Sequence, residues 1–132
     1  CPPSLELLTV NSLVAADSVL IPMQCEYYAL EGIADLMTSI KLCSRKLNRR
    51  LSIEGIVLTM YDARANLTTQ VANELRKYLG EKVYETVIPR SVRLSEAPSH
   101  GTPGVVYDRV NRGSKAYMAL AAEFIARSEK AR

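Results

Sequence analysis

Tryptophan is absent from the 132 residues, phenylalanine and histidine occur once each, and cysteine occurs three times. Each shortage removes a class of function. Cys1, Cys25 and Cys43 form no C-x-x-C pair and no ligand spacing, which argues against a metal site. Their odd number and wide separation favour free thiols in a reducing cytosol, where each serves as a small apolar packing residue. His100 lies in a Pro/Gly-rich loop with no nucleophile and acid arranged around it, so no catalytic residue is assigned there. No apolar run approaches the ~18 residues needed to span a bilayer. Neither a G-x-x-x-x-G-K-[ST] phosphate loop nor a G-x-G-x-x-G turn occurs. There are no internal repeats, low-complexity stretches or flexible linkers, so one structural unit is expected.

What is present is an ordinary globular mixture, 48% apolar and 23% charged. The net charge of +3 is unevenly placed: residues 1–63 carry −2 and residues 64–132 carry +5. A basic second half is compatible with a polyanionic partner, although scattered surface Lys and Arg are common.

The apolar periodicity predicts an alternation of helices and strands. Ser4 caps a first helix, about 5–16, that is apolar around most of its circumference and so is expected to be buried on more than one side. A short strand follows over 19–23, ended by Pro22, then a long helix from about Glu26 to Asn48. A second strand covers 53–61, and a polar loop leads to a helix capped by Asn66 or Thr68 and closed by Gly80. The run 84–89 reads as a third strand and 90–111 as a long connection. The last helix covers about 113–128, with Tyr117, Leu120, Ala121, Phe124 and Ile125 on its inner stripe. Alternation of this kind, with strands apolar on both sides, implies an α/β fold: a mostly parallel sheet with helices on both faces.

Such sheets bind ligands at the carboxyl ends of their strands. The loops of interest are therefore 1–4, 23–26, 61–66 and 89–100. The opening Cys1-Pro2-Pro3-Ser4 has no initiator Met, and two prolines cannot sit inside a strand ladder. This segment reads as a rigid turn just past an upstream strand, and on that reading the chain is expected to be the second half of something larger.

Five stretches then carry a resemblance: "CPPSLELLTVNSLVAAD", "VLIPMQCEYYALEG", "IEGIVLTMYDARANL", "VIPRSVRLSEAPSHGTP" and "YDRVNRGSKAYMALA". Together they touch nearly the whole chain, which resembles the carboxyl-terminal half of ParA/Soj-type chromosome- or plasmid-partitioning ATPases, a deviant Walker-A group of P-loop NTPases. Glu6 and Gly104 depart from the family pattern. The resemblance implies an ATP- and magnesium-dependent protein that dimerises on ATP, binds DNA without sequence preference and answers to a centromere-binding ParB-like partner. It further implies a cytoplasmic, nucleoid-associated location and no membrane partner. The family's phosphate loop and Walker-B aspartate lie upstream, so residues 1–132 alone are expected to hold no cofactor, to hydrolyse no ATP, and to self-associate through an exposed sheet edge.

Carried over by position, Pro2 and Pro3 would form a switch segment near the γ-phosphate, or else a rigid turn without contact. Met60, Pro89, Ser91 and Val92 would line an adenine pocket, or else pack as ordinary strand ends. Arg64 is the leading DNA contact, since a loop arginine without a helical acid partner is free to reach a phosphate. Arg90, Arg93 and Arg112 follow it, with Arg109 and Lys115 behind them, each equally readable as a solvated charge. Tyr27 and Tyr28 either stack on a base or, as the favoured reading, pack at the start of a helix. Glu96 is read as non-catalytic. The rival readings are a related ATPase for another cargo (division-site or membrane-associated) and a non-catalytic interaction fragment. A membrane relative is disfavoured because the terminal stretch "AEFIARSEKAR" holds too few bulky apolar residues and Phe124 and Ile125 are assigned to the core.

Overall fold

A computed structural model describes residues 6–131. Cys1, the proposed switch residues Pro2 and Pro3, and the proposed cap Ser4 lie outside the described residues. The elements are α1 (Leu7–Ala15), β1 (Ser18–Gln24), α2 (Ala29–Lys46), β2 (Ser52–Thr59), α3 (Asn66–Leu79), α4 (Val92–Glu96), α5 (Gly104–Tyr107) and α6 (Arg112–Lys130).

β1 and β2 pair in parallel, from Ser18 opposite Ser52 to Gln24 opposite Thr59. The register slips between Val19 and Leu20, leaving Glu54 as the extra residue on β2. β1 runs through Pro22 rather than ending there. Among the described residues β1 has a strand neighbour on one side only. A proline is tolerated in such a strand where its nitrogen faces the open side, because no ladder bond is lost.

The expected third strand is present only intermittently. It touches β2 through two parallel bridges, Ile56 with Val83 and Tyr61 with Pro89. Five steps on one strand match six on the other, so one residue bulges out. The Tyr84 N–H bonds Ile56 O at 2.8 Å and the Ile88 N–H bonds Leu58 O at 2.8 Å. Between them the backbone leaves the ladder, and a side chain replaces the missing strand. The Glu123 carboxylate, from α6, accepts the N–H groups of Glu85 at 3.0 Å and Thr86 at 2.8 Å.

Helices cover both faces of this sheet. Ile21, Ile56, Leu58 and Val83 join Leu13, Ile33, Ile40, Cys43, Val71 and Leu75, contributed by α1, α2 and α3, in the main core. Val57, Tyr84 and Ile88 form a second core with Leu94, Ala116 and Leu120, beneath α6. Tyr84 is completely buried with its hydroxyl 3.1 Å from Glu54 Oε1. A Cβ at Gly55 would collide with the Tyr84 ring, so only glycine fits beside it. Cys25 and Cys43 are buried free thiols, and burial pushes the Cys25 thiol up.

Three helix expectations change. α1 buries only Leu13, while Leu7 and Leu8 are largely exposed. Its carboxyl end is held from a distance: Asn48 Nδ2 lies 3.0, 3.1 and 2.9 Å from the carbonyls of Leu13, Val14 and Ala16. Helix ends leave such carbonyls unpaired, and the two Nδ2–H groups of Asn48 are shared among these three. At α3 the capping position is Ala65, which has no capping side chain; Asn66 is already helical and Thr68 is buried. α6 turns a different side inward than the apolar pattern implies. Gly113 and Ser114 are buried, and Ala116, Leu120, Glu123 and Arg127 face the third strand. Phe124 and Ile125 are 39% and 57% exposed, so their assignment to the core is withdrawn. Of the two grounds against a membrane relative, the one resting on these residues goes with it. No helix among the described residues is long and apolar enough to cross a membrane.

Candidate functional site

The carboxyl ends of β2 and the third strand meet at Tyr61 and Pro89. The Tyr61 N–H bonds Ile88 O at 3.0 Å, and the Arg90 N–H returns to Tyr61 O at 3.3 Å. Just before this crossing Met60 adopts φ 51°, in the left-handed region that non-glycine residues avoid. Strained backbone of this kind concentrates at functional sites.

Two adjoining cavities open at the crossing and share Tyr61, Ala63, Pro89 and Arg112 in their walls. The first, about 440 Å3, adds Asp62, Arg64, Arg90 and Val92. The second, about 460 Å3, adds Val87, Lys115 and Ala116. One wall is therefore basic and the other largely apolar. That pairing suits a ligand with a flat apolar part and an anionic part.

The loop after β2 is shaped by Asp62. Its Oδ1 accepts the Arg64 N–H at 3.0 Å, while Ala65 N–H bonds Asp62 O at 3.0 Å. Arg64 Nε also lies 3.4 Å from Asp62 Oδ1. The expectation of no helical acid partner stands among the described residues, although Asp62, two residues back, supplies a neighbour of opposite charge. The pair is loose, however, with the Arg64 side chain 93% exposed. Exposed pairs of this kind contribute little to stability. The Arg64 backbone N–H, with its side chain adding to the effect, holds the Asp62 carboxyl below its usual value.

The residues singled out in sequence divide between cavity and scaffold. Pro89, Val92, Arg64, Arg90 and Arg112 come together in the first cavity, and Lys115 joins the second. Met60 lines neither cavity and is 45% exposed beside them. Ser91 is absent from both walls; its hydroxyl lies 2.8 Å from Asn111 Oδ1, the oxygen that caps α6 by accepting the Gly113 N–H at 2.8 Å. Arg93 is likewise a scaffold residue, ion-paired to Glu96 and Asp108 at 3.4 Å each. Glu96 also receives the Tyr107 hydroxyl at 3.1 Å, and His100 stacks on Tyr107 with ring centres 4.9 Å apart. Arg109 is exposed. Tyr27 and Tyr28 are 74% and 71% exposed, against the expectation that they pack. Among the described residues no three His, Cys, Asp or Glu side chains come together as metal ligands.

Sequence reasoning passed over Asn111 and Leu94. Leu94 sits over two glycines: a Cβ at Gly104 would meet its side chain at 2.6 Å and one at Gly113 at 2.5 Å. Asn followed by Gly one residue inside a helical pattern is a readable cap signal, whereas the Leu94 contact has no sequence signature.

A family model for an AAA domain matches residues 1–53. The sporulation initiation inhibitor protein Soj of Bacillus subtilis (strain 168) is 59% identical over 96% of this chain. The chromosome partitioning protein ParA of Caulobacter vibrioides is 55% identical over 96% of it. The chain spans about half the length of these curated relatives, 50% and 48%. Among solved structures, cobyrinic acid a,c-diamide synthase from Mycobacterium smegmatis superposes with a TM-score of 0.76 at 28% identity, over all of this chain and 47% of that one. The same synthase has also been solved with ADP and magnesium and with an ATP analogue and magnesium.

Proposed function

Over nearly its whole length the chain is a homologue of the Soj and ParA chromosome-partitioning ATPases, and from that premise we propose that it forms the base-gripping, DNA-facing part of such an ATPase. The observation that carries the reading is the paired cavity, in which strand-end apolar residues and three arginines share one mouth. The apolar wall of Tyr61, Val87, Pro89 and Ala116 takes the adenine ring, with Val92 at its edge. Backbone groups at the Tyr61–Pro89 crossing supply polar contacts. Arg64, Arg90 and Arg112 face outward to DNA phosphates, which they recognise without reading base sequence.

In this proposal ATP, accompanied by magnesium, drives homodimerisation. A centromere-binding ParB-like partner stimulates turnover, and the cycle segregates chromosomes or plasmids. The phosphate-holding groups belong to other residues of the natural protein, and 1–132 alone is inactive. β1, with a strand neighbour on one side only among the described residues, supports the self-association expected of the isolated chain.

The test is Arg64→Glu in the natural protein that carries this chain. Binding to duplex DNA of mixed sequence at low salt falls at least tenfold, and the salt slope loses about 0.9 per phosphate contact removed. Nucleotide affinity is retained. Unchanged DNA affinity removes Arg64 from the interface.

One observation favours a second reading, a relative that acts at a membrane. α6 presents Tyr117, Met118, Phe124 and Ile125 outward, with Lys130 near its end. Interfacial helices combine such features. Co-sedimentation with anionic vesicles, absent with neutral ones, would select this reading over DNA binding.

A further inference from the structure

α6 packs on the third strand through Ala116, Leu120, Glu123 and Arg127. A helix turns by about 100° per residue, so the opposite side of α6 carries Lys115, Met118, Ala122, Ile125 and Glu129. All five are exposed, Met118 at 61% and Ile125 at 57%. Their spacing alternates three residues with four, the pattern by which one helix presents a seam to another.

The charges on this seam make it complementary to itself. Ala122 stands at its centre, with Ala119 and Ala126 exposed beside it, so a second helix can approach closely there. Lys115 lies seven residues before Ala122 and Glu129 seven residues after it. Neither belongs to an ion pair among the described residues. Two copies of α6 crossing antiparallel about Ala122 set the Lys115 of each against the Glu129 of the other. The same crossing brings Met118 of one copy beside Ile125 of the other. A parallel pair would instead stack like charge on like.

We infer that the outer face of α6 is a contact between two copies of this chain, closed by a two-fold axis near Ala122 and formed without nucleotide. One patch serves both sides of such a contact, so the pattern calls for no further partner. A lipid surface suits the face less well, because its middle is alanine where an interfacial helix places bulky apolar residues, and one end carries Glu129. The contact uses neither the open edge of β1 nor, apart from Lys115, the walls of the paired cavities. A single helix pair is a small interface, so the contact is weak and closes where copies are concentrated.

The test uses the natural protein that carries this chain, without nucleotide and at high concentration. A short bismaleimide joins two copies of Ala122→Cys, whereas wild type, with Cys25 and Cys43 buried, stays unjoined. Lys115→Cys mixed with Glu129→Cys is joined as an unlike pair, and Lys115→Cys alone is not. In sedimentation, Ala122→Glu and Ala122→Lys each weaken self-association about tenfold, because equal charges meet on the axis, and an equimolar mixture of the two restores it. Both variants keep the wild-type melting temperature within a few degrees, since the position is exposed and both residues suit a helix. Restoration on mixing is a result that a purely structural role cannot give. Equal joining of Lys115→Cys alone and of the mixed pair overturns the inference, as does wild-type association in Ala122→Glu. So does an Ala122→Cys thiol closed to a monofunctional maleimide in dilute protein, which would show other residues of the same chain covering the face. An Ala122→Cys thiol that anionic vesicles shield, with no joining between free copies, gives the face to the membrane and overturns it too. Arg64→Glu leaves the joining of Ala122→Cys unchanged, so failure here and failure of the Arg64 reading are told apart.

Discussion

Replacing Glu123 tests how a side chain stands in for a strand. Its carboxylate holds the Glu85 and Thr86 N–H groups and the Arg127 guanidinium, whose Nη2 lies 2.9 Å away, and its side chain is only 18% exposed. Arg127 in turn lies over the Tyr84 ring at 4.1 Å and bonds the Val83 carbonyl at 3.3 Å. Hydrogen bonds to a charged acceptor contribute roughly 1.5–3 kcal/mol each. Glu123→Ala removes two such bonds and leaves Arg127 partly buried without its acid, for a loss of about 3–5 kcal/mol. Glu123→Gln keeps one acceptor oxygen but turns an amide donor toward an N–H, for about 2 kcal/mol. Burial alone would push this carboxyl up, but the Thr86 hydrogen bonds, the Glu85 N–H and Arg127 together hold it below the usual 4.5. A depressed native value gives stability that is complete above the unfolded carboxylate range and is lost as pH falls through the native one. Urea midpoints of the natural protein from pH 7 down to the acid limit measure both effects. Wild type loses stability below the usual carboxylate value, and Glu123→Gln is flatter there. A loss under about 0.5 kcal/mol on Glu123→Ala, or identical acid slopes, refutes the account.

Asn48→Ala leaves the carbonyls at the end of α1 without their donor; it costs about 1–3 kcal/mol and raises amide exchange in α1 before the rest of the chain. Gly113→Ala drives a methyl into Leu94 and costs about 1–3 kcal/mol, part of which Leu94→Ala restores in a double-mutant cycle. Met60→Gly relieves a left-handed backbone and raises thermal stability by up to about 1 kcal/mol; a clear loss would show that the Met60 side chain, not its backbone, is what the site keeps.

Much of the fold was legible because its strands are short apolar runs and its long helices keep a 3.6 period. α2 and α3 emerged within a few residues of their predicted bounds. The alternation, with two-sided apolar strands, was enough to imply parallel pairing. The misreadings share a cause, which is that local pattern does not record long-range satisfaction of polar groups. The third strand loses its ladder because Glu123, thirty-eight positions beyond Glu85, supplies the acceptor. α6 turns Glu123 and Arg127 inward for the same reason, which forces Phe124 and Ile125 outward against their hydropathy. The strand-end rule and the family strings pointed to Pro89, Val92, Arg64, Arg90 and Arg112, and these five line one cavity. Ser91 and Arg93 were not separable from them, because neighbours in sequence can point to opposite sides of a turn.

Leu94, lodged over the bare backbones of Gly104 and Gly113, behaves as a rivet through the stretch between Arg90 and Arg112. Two guanidinium carriers twenty-two positions apart are thereby mounted on one stiff plate instead of on a floppy tether. Their spacing is set by the fold itself, so binding the anion proposed for this site would sacrifice little chain freedom. If the proposed DNA contact is right, the two arginines engage and release their phosphates as one body.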